Sequence, residues 1–343
     1  MYQRFRPGKV WYDNNGKRIQ AHGGCILFAK NKFWWYGENK EGITGTATGE
    51  KCPFWHHGVK LYSSTDLYNW TDEGFCVVES GEEGNPFNPK NIMDRPHILF
   101  NEKTGNYVLW AKTAHKGDFM TCTFSVCVGK SLKNMQFYKE IFPRPHYAGD
   151  FDLFVFKGKA YVVFENPHSE LVVRELTDDY TDLTDVYSTH FHADGPPFVR
   201  EAPAVFEHKD RLYMLTSGTT GYYPNATEIA DITDVHGEWK NLGNVCVEDR
   251  KNNSFHSQFS SVFKHPLKKD TYIALGDRWL VDLPEDLPDM NEIFYKLCGP
   301  NPQKIDLTPF SDENTSEATY VWLPICFDEN DKPYIRWQAV WEI

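Results

Sequence analysis

Five polar residues, His22, Asp94, Asp150, Glu201 and Gln258, each stand four positions ahead of an apolar pair. The pairs are Ile26-Leu27, Ile98-Leu99, Phe154-Val155, Val205-Phe206 and Val262-Phe263. Three of the five are carboxylates. Held close together, like charges repel, and burial raises their pKa values further. A scaffold has little reason to gather them, whereas a pocket that moves protons does. Glycoside hydrolysis uses such a set most naturally. One carboxylic acid protonates the leaving oxygen while a second group activates water on the opposite face, roughly 6.5–9.5 Å away in inverting enzymes. Glu201 is the expected general acid, because Pro203 stiffens the backbone just after it and a neighbouring anion such as Asp150 would keep it protonated. Asp150 is then the group that tunes it. The bland alternative is a set of solvated residues that merely begin strands.

For five such residues to converge, the elements behind them must repeat. Each apolar pair is followed by a short polar turn and a second, aromatic-rich strand, as in Phe33-Trp34-Trp35-Tyr36 and Tyr161-Val162-Val163-Phe164. The leaders stand 72, 56, 51 and 57 residues apart. An imperfect repeat of several strands per unit is the signature of propeller blades, whose first strands line a central channel. The chain is therefore expected to be all-β, a five-bladed β-propeller. Blades start near 20, 94, 150, 201 and 258, within a single catalytic domain over residues 1–343. Residues 13–17 are expected to turn a short hairpin before blade one. The Gly- and Thr-rich stretch to about Gly49 reads as a long functional loop, and 281–318 as a long connection with one short helix.

Composition narrows the partner. Of 343 residues 15% are aromatic, including 11 Trp, which suits both blade packing and flat platforms for sugar rings. The net charge of −12 argues against nucleic acid, which needs a basic footprint, and against acidic polysaccharides. A neutral oligo- or polysaccharide fits better. No run of 18 apolar residues suggests a membrane span, and the N-terminus carries no apolar leader. The 8 cysteines lack C-x-x-C spacing and read as free thiols. His146, His190 and His192, in blade-crossing loops, read as rim residues rather than metal ligands. No metal or organic cofactor is expected.

The blade leaders, with Gly149-Asp150, Arg200-Glu201-Ala202-Pro203, Leu215 to Asn225 and Ser257-Gln258, resemble glycoside hydrolase family 43. The likeness is greatest to the exo-β-1,3-galactanase branch, through Gln20-Ala21-His22-Gly23-Gly24, Tyr36-Gly37-Glu38, Gly276-Asp277-Arg278-Trp279, Trp322-Leu323-Pro324 and Trp337. It implies a five-bladed propeller acting by inversion on terminal galactose. It also implies that Gln258 positions or activates the water, since His22 stands where most of the family has an Asp base. Asp94-Arg95-Pro96-His97 departs from the branch's Glu-Arg-Pro-Lys by one methylene, which leaves open a role for Asp94 on a sugar hydroxyl or as base. His22, Tyr36, Glu38, Thr220, Tyr222, Asn225 and Trp279 are the expected sugar contacts, with Trp55 a further candidate platform. A furanosidase of the same family and a non-catalytic carbohydrate-binding propeller are the alternative readings.

Overall fold

The computed structural model describes residues 1–42, 54–114 and 121–343. Residues 43–49 of the predicted Gly- and Thr-rich loop, and Cys52, lie outside them. Blade one is an antiparallel meander of His22–Ala29, Lys32–Glu38, Val59–Ser64 and Thr71–Val77. Blade two follows with Ile92–Asn101, Asn106–Ala114, Thr123–Gly129 and Gln136–Ile141. Blade three comprises Phe151–Phe156, Lys159–Asn166, Glu170–Leu176 and Leu183–His190, and blade four Arg200–His208, Arg211–Gly218, Glu228–Ile232 and Trp239–Asn244. Blade five runs Gln258–Lys264, Tyr272–Arg278, Thr319–Phe327 and Pro333–Arg336, and borrows Cys246–Val247 as a parallel outer strand.

The first strand of each blade touches the first strands of its two neighbours, closing an inner ring. This is the five-bladed β-propeller that the repeat predicts. Strand alternation sends one face of each blade toward the blade before it and the other toward the blade after it. Among the described residues, five of the six hydrophobic cores accordingly sit between neighbouring blades. Trp110, Phe124, Phe151 and Phe164, for example, fill the gap between blades two and three. Across the junction of blades five and one, Phe5 pairs with Trp341 and packs against Trp11 and Trp322.

Of three local expectations, two are met and one, the placing of His190 in a loop, is not. The short hairpin expected at 13–17 is present: Tyr12 bridges Arg18 antiparallel, the Asp13 N–H donates to Lys17 O at 2.8 Å and the Ile19 N–H to Trp11 O at 3.0 Å, while the Asp13 carboxylate accepts the N–H groups of Asn15 and Lys17 in the turn. His190 belongs to the last strand of blade three and stacks on Trp239, ring centroids 3.6 Å apart. The 281–318 connection does hold the expected helix, Met290–Cys298, capped by the Asp289 side chain, and a single 3-10 turn, Thr315–Glu317. That helix, however, packs through Met290 and its neighbours onto Trp279 and Tyr223, forming a sixth core above blades four and five.

Candidate active site

A repeated backbone device aims the leaders. In blades one, two and four the leader pairs with the second strand (His22 with Glu38, Asp94 with Lys112, Glu201 with Ser217) and the register then slips. Two residues there oppose one, a β-bulge that re-aims the side chain beside it. The residue after each of these leaders is left-handed: Gly23 at φ 59°, Arg95 at φ 54° and Ala202 at φ 47°. Pro96 and Pro203 fall inside the bulges, where no ladder N–H is needed. In blade one the slip requires glycine, since a Cβ on Gly24 would come 1.9 Å from the Tyr36 carbonyl oxygen.

Gln258 is aimed differently. It follows three consecutive left-handed residues, Ser254, Phe255 and His256 at φ 54°, 58° and 62°, a conformation that costs roughly 1–2 kcal/mol per residue. Side chains hold the turn. Asp249 Oδ2 accepts the N–H groups of Asn253 at 2.8 Å and Ser254 at 2.6 Å, and the Arg278 guanidinium donates to the carbonyls of Phe255 and His256, each at 3.0 Å.

Asp94, Asp150, Glu201 and Gln258 converge on a cavity of about 270 Å³. Glu38, Trp55, Tyr222 and Trp279 form its walls, while Phe294, Leu307 and Glu313 from the 281–318 connection close one side. Two wider depressions elsewhere, about 860 and 890 Å³, contain none of the leaders.

One side of the cavity is built around two cations. Lys112 Nζ lies 3.0 Å from Asp94 Oδ2 and 3.0 Å from Asp150 Oδ1. Arg95 Nη2 lies 2.9 Å from Asp150 Oδ2, and the Trp55 indole N–H donates to Asp94 Oδ1 at 2.6 Å. Burial alone would raise both carboxyls, but Arg95 and Lys112 outweigh it at Asp150, and Lys112 and Lys40 outweigh it at Asp94. Both groups are held below the usual carboxylate range and are ionised.

Glu201 faces the other side. Burial first, then the charges of Asp150 and Glu165, push its carboxyl well above the usual value against the pull of Arg95 and Lys112. Its Oε1 accepts from the Gln258 amide at 3.0 Å, so the carboxylic proton belongs on Oε2. Gln258 itself has no hydrogen-bonding capacity left. Its Oε1 accepts from Arg95 at 2.6 Å and Trp279 at 3.0 Å, and its Nε2 donates to Glu201 and, at 2.9 Å, to Ser217. Glu38, whose Oε2 lies 2.9 Å from Lys40 Nζ, is pushed by burial to about 7.

The remaining predicted residues divide. Tyr222, Trp279 and Glu38 line the cavity, as does Trp55. His22 does not: it is fully buried behind Trp279, its Nδ1 at 2.8 Å from Asp277 Oδ1 and its ring stacked on Tyr320. Tyr36 belongs to the core between blades one and two, where its hydroxyl accepts the Ile98 N–H at 3.0 Å. Thr220 and Asn225 brace a loop rather than face the cavity. Asn225 Nδ2 donates to Gly218 O and Thr220 Oγ1, and Thr220 donates to Tyr223 O, which fixes the turn presenting Tyr222. Two cations against the Asp94 and Asp150 carboxylates, Lys112 and Arg95, are not among the residues the sequence singles out. Lys112 was visible as a lone charge after the buried run Tyr107 to Ala111, in register with Asp94. Arg95 directly follows the leader Asp94.

Three comparisons bear on this geometry. The sequence profile of glycosyl hydrolases family 43 matches residues 44–278. No curated protein matches the chain by sequence. Among solved structures, a family 43 β-1,3-galactosidase superposes with a TM-score of 0.81 at 26% identity over 100% of this chain, which spans 64% of that protein. A second β-1,3-galactosidase of the family, solved with galactodeoxynojirimycin, gives 0.79 at 27% identity, covering 99% of this chain and 100% of that one. An exo-β-1,3-galactanase from Phanerochaete chrysosporium, solved with β-1,3-galactotriose, gives 0.78 at 20% identity, covering 100% and 68%, and so speaks to fold alone.

Proposed function

The chain belongs to glycosyl hydrolases family 43 and is a glycoside hydrolase; from that premise we propose that it is an inverting exo-enzyme releasing terminal galactose from β-1,3-galactan-type glycans. Residues 1–343 act as one catalytic unit. The observation that carries this reading is the asymmetry of the carboxylates around one cavity: Glu201, with its carboxyl pushed up, faces Asp94 and Asp150, both held low by cations.

Glu201 gives its proton to the glycosidic oxygen as the bond to the anomeric carbon breaks. The carboxylate left behind is met by the Gln258 N–H, already in place at 3.0 Å. Asp150, ionised by Arg95 and Lys112, keeps Glu201 protonated before the step. Water attacks from the opposite face of the ring. Asp94 takes its proton. Each carboxylate oxygen has lone pairs beyond those met by Trp55 and Lys112, whereas both on the Gln258 oxygen are filled. Gln258 thus acts through Glu201. Galactose is favoured by the likeness to β-1,3-galactosidases at 26% and 27% identity, and a cavity of about 270 Å³, closed on one side, suits a single terminal ring.

The test is product release from β-1,3-galactobiose and galactotriose beside arabino- and galactofuranosides, with the anomer of the first product read by NMR. Galactose released one unit at a time with inverted configuration is the expected result. Release of a furanose would reassign the sugar, and retained configuration would remove the inverting mechanism.

A further inference from the structure

The two ends of a glutamine amide have almost the same shape, so the neighbours decide which end points where. Around Gln258 they are sorted by kind. On one side stand the Arg95 guanidinium at 2.6 Å and the Trp279 indole N–H at 3.0 Å, both able only to donate. On the other stand Glu201 Oε1 at 3.0 Å and Ser217 Oγ at 2.9 Å, which accept. A turned amide would set its N–H groups against Arg95 and Trp279 and leave buried donors unpaired. It would also point its oxygen at Glu201.

Arg95 is the better held of the two donors, and it is held from several blades. It is 6% exposed and occupies the left-handed position of the blade-two bulge. Its backbone N–H donates to Glu38 Oε1 of blade one at 3.0 Å. Gly23 leaves room for that contact, since a Cβ there would come 2.5 Å from Glu38 Oε1 and 3.6 Å from Arg95 Cδ. Arg95 Nη2 lies 2.9 Å from Asp150 Oδ2, just ahead of blade three, and 2.6 Å from Gln258 Oε1 in blade five. The guanidinium also lies over the Trp279 ring, 5.7 Å from its centre.

We propose that Arg95 is a positioning residue that locks Gln258 with its N–H toward Glu201 and so keeps the acid's proton on Oε2, the oxygen that delivers it. The assignment rests on the reading of Glu201 as the general acid. With the lock in place, Glu201 Oε1 always meets a donor, and the proton has only Oε2 to occupy. Without it the amide turns, Glu201 gives its proton to the Gln258 oxygen, and the leaving oxygen finds none. The charge of Arg95 acts in a different sense. Arg95 stands among the carboxyls of Asp150, Glu38, Glu201 and Asp94, while Glu201 faces Asp150, Glu165, Arg95 and Lys112. Loss of the Arg95 charge alone would raise the Glu201 pKa. The alkaline limb of activity would then move to higher pH with kcat on the plateau untouched. Lock and charge therefore predict different results.

The experiment measures Arg95→Met, Arg95→Lys, Gln258→Met and the double variant Arg95→Met with Gln258→Met on β-1,3-galactobiose and β-galactosyl fluoride, with thermal melting as the control for folding. Arg95→Met should lower kcat on the disaccharide about a hundredfold and largely spare the fluoride, which needs little help from an acid. Adding Gln258→Met should cost little more, because the amide it removes is no longer oriented. Arg95→Lys, which keeps the charge without the planar fork, should restore only part of the loss. Trp279→Phe removes the second donor and keeps a ring; it should lower kcat on the disaccharide alone by about tenfold, and it carries the test if Arg95→Met does not fold. A moved alkaline limb with unchanged kcat, equal losses on both substrates, or additive losses in the double variant would overturn the lock. If wild type cleaves neither substrate, the galactan reading fails and the lock is read by NMR of protein labelled with 15N-glutamine. The side-chain N–H signals that Gln258→Met removes should exchange with water about tenfold faster in Arg95→Met than in wild type; equal exchange would overturn it.

Discussion

On one side of the cavity Asp94 and Asp150 share Lys112, with Arg95 against Asp150, and stay ionised although desolvated. On the other side Glu201, half-buried like Asp94, has a neutral amide as its near neighbour, and desolvation together with the Asp150 charge keeps it protonated. The chemistry of the side chains is the same, and the placing of two cations separates them. An acid and a base can therefore stand in one pocket without either being intrinsically unusual. The difference is set by blade two, which supplies Asp94, Arg95 and Lys112 together.

Variants that move charge across this divide should show it in the pH profile. Asp150→Asn should have the largest effect among them, a fall in kcat of roughly a hundredfold. It removes the anion that raises Glu201 and leaves Arg95 and Lys112 uncompensated, and both changes lower the Glu201 pKa. Activity needs Glu201 protonated, so the alkaline limb of kcat/KM should move to lower pH; an unmoved limb would separate Asp150 from the acid. Lys112→Met acts in the reverse sense on the other side. Without the ammonium, Asp94 and Asp150 titrate higher, so the acid limb should move up by about one unit, a tenfold loss at low pH. A profile unchanged at low pH would mean that neither carboxylate is needed ionised.

Arg278→Ala tests positioning rather than charge and should have the smallest effect. Loss of the two bonds to Phe255 and His256 should destabilise the protein by about 1–3 kcal/mol and lower kcat/KM severalfold, with the pH limbs in place. Arg278→Lys, which keeps the charge but not the fork, should restore only part of the loss. A shift in the limbs would instead give Arg278 an electrostatic role at the site.

The fold was legible because each blade repeats a local pattern: a polar leader, an apolar pair four residues on, a turn and an aromatic return. Part of the aiming was legible too, since Gly23, and Pro two positions after Asp94 and Glu201, mark bulges. What the sequence withheld is pairing over distance. His22 looked equivalent to the other leaders, but Asp277, distant in sequence, binds its ring and buries it behind Trp279. Gln258 looked free to act on water, and only the assembled ring brings Arg95, Trp279, Ser217 and Glu201 around its amide. The helix in the 281–318 connection carries Met290, Ile293, Phe294 and Leu297 at helical spacing, but nothing local announced which surface that apolar face would cover.

The central claim is that Glu201 delivers the proton to the leaving group. Its most direct test measures Glu201→Gln on two substrates, β-1,3-galactobiose and β-galactosyl fluoride, whose departing fluoride needs little help from an acid. The predicted result is a fall of about 10²–10⁴-fold on the disaccharide with turnover of the fluoride largely retained. Equal losses on both substrates, or full activity on the disaccharide, would contradict it.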